Sequence, residues 1–197
     1  MAKSAKSSPP ELATVAFRSP KEWEAWLERN HATAPGVWIK LAKKGSGIPS
    51  VTYMEAVDVG LCYGWIDSQS KSLDDRQYVQ RFTPRRAKSP WSKINRAKAE
   101  EFIAQGRMRP AGMREVEAAQ ADGRWESAYD GQRTIEVPPD LKKQLDKNPK
   151  AKKFFSTLDS RNRYAVLHRI QQAKKPETRA SRIEKFVAML SAGKKIH

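Results

Sequence analysis

Several features that mark common functional classes are absent from this 197-residue chain. It has one cysteine, Cys62, so no internal disulfide can form, which favours a reducing, cytoplasmic compartment. No stretch approaches the ~18 apolar residues of a transmembrane helix, and the N-terminus lacks the apolar run of a signal peptide. The three histidines show no His-x-x-x-His spacing, so we predict neither a metal site nor a cofactor.

Negative charge is also scarce, with 22 Asp and Glu against 38 Lys and Arg and a net charge of +16. The imbalance is strongest in residues 142–197, which carry 16 basic and 4 acidic side chains, a net charge of +12. A second basic run, at residues 81–99, contains no acidic residue. This excess predicts an anionic partner, such as nucleic acid or a phosphate-bearing ligand.

The apolar pattern of the N-terminal part predicts an antiparallel sheet of about four strands with helices. The strands are predicted at residues 12–17, 37–43, 65–73 and 77–83. Capping boxes at Ser19 and Thr52 predict the starts of two helices, because a hydroxyl followed by Glu three residues later satisfies the first backbone amides. Two more helices are predicted at 92–106 and 110–123, the first with Ile94, Phe102 and Ile103 facing inward.

Beyond residue 139 the apolar residues recur at helical spacing in four successive segments. The fold class is therefore predicted as α+β, with a C-terminal four-helix domain. The predicted divisions are a disordered tail at 1–11, an α+β domain at 12–130, a linker at 131–139, a basic helical domain at 140–193 and a tail at 194–197.

Several short strings resemble the YdeI/OmpD-associated family, also called bacteriocin-protection proteins. The residues that carry the resemblance are Cys62 to Ser68, Gln80 to Arg86 with Ser89, Trp91, Ser92 and Asn95, Gly106 to Met108, Asp122 to Trp125, Ala173 to Arg179, and Arg182 to Glu184. The resemblance implies an OmpD-associated type of helical domain and a role in stress resistance or bacteriocin protection. It implies no reaction and no agreed catalytic residues.

The leading hypothesis is a non-enzymatic, stress-related protein whose basic surfaces bind nucleic acid or a phosphorylated ligand. Arginine offers a fixed donor fork for phosphate, and a helix N-terminus adds a favourable dipole. The predicted anion-binding residues are Arg81, Arg85, Arg86, Lys93, Arg96, Lys174, Lys175, Arg179 and Arg182. The alternative for these residues is a solvated basic face with no ligand.

A possible pocket is predicted around the aromatic residues of the central stretch. Its candidate residues are Tyr63, Trp65, Asp67, Trp91 and Asn95. Asp67 is expected to reach Arg81 or Arg85 across the hairpin, either as a structural ion pair or as part of a site. Two further hypotheses remain open: a protein–protein interaction module in envelope or bacteriocin resistance that uses the tryptophans, and an enzyme with Tyr63, Asp67 and Arg81 at its site.

Overall fold

A computed structural model describes residues 11–197, and within it the chain divides into two compact units. The first unit contains the residues up to Ser89 together with Asn95–Glu126, and the second contains Pro90–Ile94 and Ser127–His197. The α+β fold class is confirmed. All of the predicted N-terminal tail except Glu11 lies outside the described residues.

The first unit is built from a sheet and four helices, of which α3 begins in the short segment assigned to the second unit. Its elements are β1 (Thr14–Ala16), α1 (Pro20–Asn30), β2 (Val37–Ala42), α2 (Tyr53–Cys62), β3 (Trp65–Ser72), β4 (Gln77–Pro84), α3 (Lys93–Ala104) and α4 (Pro110–Ala121). The strand order is β1-β2-β4-β3.

The sheet is mixed, and the prediction that all of its strands are antiparallel was wrong for one pair. Strand β1 pairs parallel with β2, whereas β2–β4 and β4–β3 are antiparallel. The reason is the connection between the two strands. Helix α1 follows β1 and returns the chain to the end of the sheet at which β1 began, so β2 runs in the same direction as β1, as a parallel crossover requires.

The core of the first unit is an aromatic cluster on one face of this sheet. Trp23 of α1 lies against Trp65 of β3, with ring centroids 6.0 Å apart, and against Phe82 of β4 at 5.7 Å. Both predicted capping boxes lie at helix starts: the Ser19 hydroxyl accepts from the Glu22 amide, and Thr52 forms the full reciprocal box. These local bonds fix where α1 and α2 begin and so how they enter the core.

Helix α3 differs from the prediction in the face that it buries. Phe102 is buried with Ala99, but Ile94 is 53% exposed and Ile103 is 38% exposed. At about 100° per residue, Ile94 lies about 140° around the helix from Ala99, outside a buried stripe that is only one residue wide per turn. The prediction that both isoleucines face inward was therefore wrong.

The second unit contains the four predicted C-terminal helices. They are α5 (Pro139–Asp146), α6 (Pro149–Ser156), α7 (Ser160–Gln171) and α8 (Pro176–Ser191). The leucine, isoleucine and phenylalanine positions that recur at helical spacing form one buried core. Residues 131–139, predicted as a linker, belong to this unit, and Ile135 and Val137 pack against its core because they are apolar.

Candidate anion-binding surfaces

The basic run after β4 folds into a tight, well-supported turn. The Ser89 amide donates to the Arg86 carbonyl at 2.9 Å, and the Arg86 amide donates to the Ser89 hydroxyl at 3.1 Å. Lys88 takes a left-handed backbone with φ 69°. Arg86 and Lys88 are both exposed, whereas Arg85 is buried, with 6% of its surface exposed. The turn therefore presents two of its three cations to solvent.

A buried arginine that the sequence analysis did not single out holds this turn in place. The Nε of Arg124 donates to Asp122 at 2.7 Å, and its Nη1 donates to the Ser89 carbonyl at 3.0 Å. Only 8% of Arg124 is exposed, so its guanidinium is largely shielded from water, whereas the Asp122 side chain is 45% exposed. The Asp-Gly-Arg-Trp string at residues 122–125 is the part of the sequence that contains this arginine, and its role here is to support the turn at Arg86–Ser89.

Two of the predicted anion ligands instead make contacts within the protein. Lys93 pairs with Asp130 at 2.7 Å, and this ion pair is the main reason that the pKa of the Asp130 carboxyl lies below its usual value. Gln171 also donates to that carboxylate, at 2.5 Å. Arg96 donates to the Trp125 carbonyl at 3.3 Å and lies 3.6 Å from Glu100. Neither cation is fully available to a ligand.

The two predicted arginines of α8 cap the C-terminal end of α7. Arg179 donates to the Ile170 carbonyl at 3.2 Å, and Arg182 donates to the Arg169 carbonyl. Arg179 also forms a two-pronged bond to Asp140, at 2.5 and 3.0 Å, which lowers the pKa of that carboxyl. Cations near helical C-terminal carbonyls stabilise the helix end, so these arginines fasten α8 to α7.

Lys174 and Lys175 remain exposed in the connection between α7 and α8. Lys175 is the N-cap residue of α8, and no side chain there accepts a hydrogen bond from the helix amides. Among residues 11–197, no ion pair engages either lysine. Of the predicted cations in the second unit, these two are the ones open to an anionic partner.

Three of the five predicted pocket residues are buried side chains. Tyr63, Trp65 and Trp91 are 4%, 2% and 1% exposed, respectively, and each belongs to the buried interior. The indole nitrogen of Trp65 donates to the His31 carbonyl at 3.3 Å. Asn95 is half-buried in the first turn of α3. The aromatic residues of this stretch therefore serve mainly to build the interior.

Asp67 does not face Arg81. Its Cα partner on β4 is Phe82, and neighbouring residues of a strand point to opposite faces, so Arg81 lies on the other side of the sheet. The carboxylate of Asp67 accepts a hydrogen bond from the hydroxyl of Tyr53 at 2.8 Å. The expected contact with Arg81 was wrong because a shift of one position along a strand reverses the direction of the side chain.

A basic surface that the sequence analysis did not single out lies around α5 and α6 of the second unit, and α7 contributes one arginine to it. Two adjacent depressions share Lys142 and Asp146, and the larger has a volume of about 560 Å³. The cations that line them are Lys142, Lys143, Lys147, Lys152 and Arg163, around the single carboxylate of Asp146. We call these six residues the α5–α6 basic surface. The signal in the sequence was the high lysine content after residue 141.

Another cavity of the second unit lies between α5 and α8 and has a volume of about 670 Å³. Ile183 and Val187 contribute apolar lining, and the Asp140–Arg179 ion pair lies at the same cavity. Because Asp140 and Arg179 neutralise each other, a ligand in this cavity would be held more by shape and apolar contact than by charge.

The described residues also lack two other kinds of site. No group of three or more His, Cys, Asp or Glu side chains in residues 11–197 is arranged to hold a metal ion. Within the same residues, none of the helices has the length and apolar character needed to cross a bilayer.

Fold and charge together define the class: an α+β protein with a separate, strongly basic helical unit. Residues 15–115 match the family described as a domain of unknown function (DUF8412), and residues 134–193 match the family described as bacteriocin-protection, YdeI or OmpD-associated. The chain thus belongs to the first family, whose model covers more than half of it, and carries a YdeI/OmpD-associated domain in its second unit, as the sequence resemblance predicted. Searches of curated proteins and of solved structures found no match.

Proposed function

We propose that this protein is a non-enzymatic binding protein whose second unit holds nucleic acid by its phosphate backbone. The observation that carries the proposal is the α5–α6 basic surface, where five cations surround one carboxylate. Four of the five are lysines, which act as flexible point charges suited to phosphates rather than to base edges. Bacteriocin protection, which the description of the matching family names, is the setting that we propose for this binding.

The charge of the second unit is not neutralised internally. The unit carries 18 basic and 7 acidic residues, a net charge of +11. Three of the carboxylates, Asp130, Asp140 and Asp146, already have cationic partners, and a fourth, Asp159, caps α7. Few carboxylates remain to offset the other lysines, so an external polyanion would gain from contact with them.

Salt dependence tests this proposal. Binding of the full chain to a labelled 20-base-pair DNA duplex should weaken steeply with salt, because each neutralised phosphate releases about 0.9 counterions. Changing Lys143 and Lys147 to glutamine together should lower the slope of log K against log[salt] by about 1.8. Both residues are exposed and make no ion pair among the described residues, so the fold should be retained.

The matched control removes the same charge from the first unit. Lys21 and Lys44 are exposed, and changing both to glutamine should leave the slope nearly unchanged. The proposal fails if the duplex does not bind even at low salt. It also fails if the slope of log K against log[salt] falls as much in the control double variant as in the variant with Lys143 and Lys147 changed. Binding of inorganic phosphate alone, without binding of the duplex, would also contradict it and would favour a small phosphorylated ligand.

No geometry in the described residues favours either of the other hypotheses. Trp65 and Trp91 are buried and so offer no interaction surface. Tyr63 packs on the His31 ring at 5.4 Å, whereas Asp67 bonds Tyr53 on α2. Together with Arg81 on the opposite sheet face, these groups occupy three separate environments.

A further inference from the structure

The sheet of the first unit has a second face, opposite the aromatic core. On β2 and β4, Trp38 and Arg81 are Cα partners, and Lys40 is the partner of Val79. Lys71 of β3 is also a partner of Val79, so Lys40, Val79 and Lys71 form one row across three strands. Because partners share a face, Trp38, Lys40, Lys71 and Arg81 lie together, and we call these four residues the open-face cluster.

The two faces of the sheet differ in charge. The strands contain three cations, Lys40, Lys71 and Arg81, and all three belong to the open-face cluster. Their single carboxylate, Asp67, lies with Phe82 on the core face. The open face therefore carries all three cations of the strands and none of their carboxylates.

Trp38 differs from the tryptophans of the core. It is only half-buried, whereas Trp23 and Trp65 are almost fully buried. The ammonium of Lys71 lies over the Trp38 ring at 4.7 Å from its centroid, so one face of this ring already attracts a cation. The Nε of Arg81 is buried and has no hydrogen-bond partner among residues 11–197. An aromatic plane and an unsatisfied donor therefore lie side by side.

We propose that the open-face cluster binds single-stranded nucleic acid, with one base stacked on Trp38 and the neighbouring phosphates held by Lys40, Lys71 and Arg81. Base stacking on an aromatic ring combined with cations that track the backbone is how proteins hold single strands without reading sequence. A base takes the place of the Lys71 ammonium over the ring, and that lysine, which is exposed, turns to a phosphate.

The chemistry selects a single strand rather than a duplex. In a duplex the base planes are stacked on each other, so only an unpaired base can offer its face to Trp38. This site lies in the first unit, and it does not depend on the duplex binding proposed for the second unit. The two proposals can therefore fail separately.

The test compares labelled 12-nucleotide oligo(dT) with a duplex of the same length, using the full chain and fluorescence anisotropy. Trp38→Leu keeps an apolar cover over the sheet but removes the aromatic plane, and should weaken oligo(dT) binding by about 5- to 150-fold with little effect on the duplex. Trp38→Phe should restore most of the affinity. Urea unfolding of each variant checks that the fold is retained.

Charge is tested with a matched pair in the same unit. Lys71→Gln should weaken oligo(dT) binding, whereas Lys44→Gln, which removes the same charge from an exposed loop, should not. Quenching of tryptophan fluorescence by oligo(dT) should be reduced in Trp38→Phe. Equal affinity of wild type and Trp38→Leu for oligo(dT), or equal losses from the two lysine variants, would overturn the proposal. The variant with both Lys143 and Lys147 changed should keep its Trp38-dependent binding of oligo(dT) even if it loses duplex binding. That result would show that the single-strand site is independent of the duplex site.

Discussion

Replacing Gly112 by alanine tests whether the close approach of α4 to the end of α2 is essential. Gly112 lies inside α4, where alanine is normally the better helix former by about 1 kcal/mol. A Cβ at this position would overlap the Cys62 carbonyl oxygen, and it would lie 2.9 Å from the carbonyl carbon and 2.8 Å from the Met108 Cε. The helix would have to move away.

The expected change in the free energy of unfolding follows from two destabilising terms and one stabilising term. Overpacking costs about 1–3 kcal/mol, and moving α4 also weakens the hydrogen bond from the Arg109 amide to the Cys62 carbonyl, now 3.0 Å, by about 1 kcal/mol. The gain in helix propensity offsets about 1 kcal/mol. We therefore expect Gly112→Ala to lower the free energy of unfolding by about 1–3 kcal/mol.

Urea unfolding followed by tryptophan fluorescence is the assay, because five of the six tryptophans belong to the first unit. Gly60→Ala is the control: it lies in α2, and a Cβ there would meet Phe82 at an ordinary 3.4 Å. The control should be neutral or stabilising by up to about 1 kcal/mol. If Gly112→Ala is as stable as Gly60→Ala, the close approach does not constrain the fold and the reasoning is refuted.

Thr52→Ala should lower stability by about 1 kcal/mol in the same assay, because it removes the hydroxyl of a complete capping box. Trp65→Ala should cost about 3–5 kcal/mol, since it empties a fully buried site; retained stability would reopen a surface role. Burial raises the pKa of the Cys62 thiol to about 11, so alkylation at pH 8 should be slow in the native protein and fast in urea. Arg179→Gln should destabilise the protein at pH 7. Because Arg179 lowers the pKa of Asp140, this deficit should shrink as the pH falls below about 4 and the carboxylate is protonated, and a deficit that does not change with pH would contradict the ion-pair contribution.

The starts of several helices were predictable because the hydrogen bonds that cap them are local in the sequence. Ser19, Thr52 and Asn148 each bond an amide three residues away, so the cap and the start of the helix can be seen in one short string. The apolar spacing of the four C-terminal helices is local in the same way. The direction of β1 was not predicted, because strand pairing depends on the path of the whole crossover.

The sequence by itself determined the α+β class, the helix boundaries and the concentration of positive charge near the C-terminus. Only the tertiary structure decided which cations are available: Lys93 and Arg179 are engaged by Asp130 and Asp140, which lie 37 and 39 residues away in the chain. The open-face cluster likewise depends on β4 pairing with β2. Ion-pair partners and strand register are contacts between distant segments, and neither composition nor local periodicity encodes them.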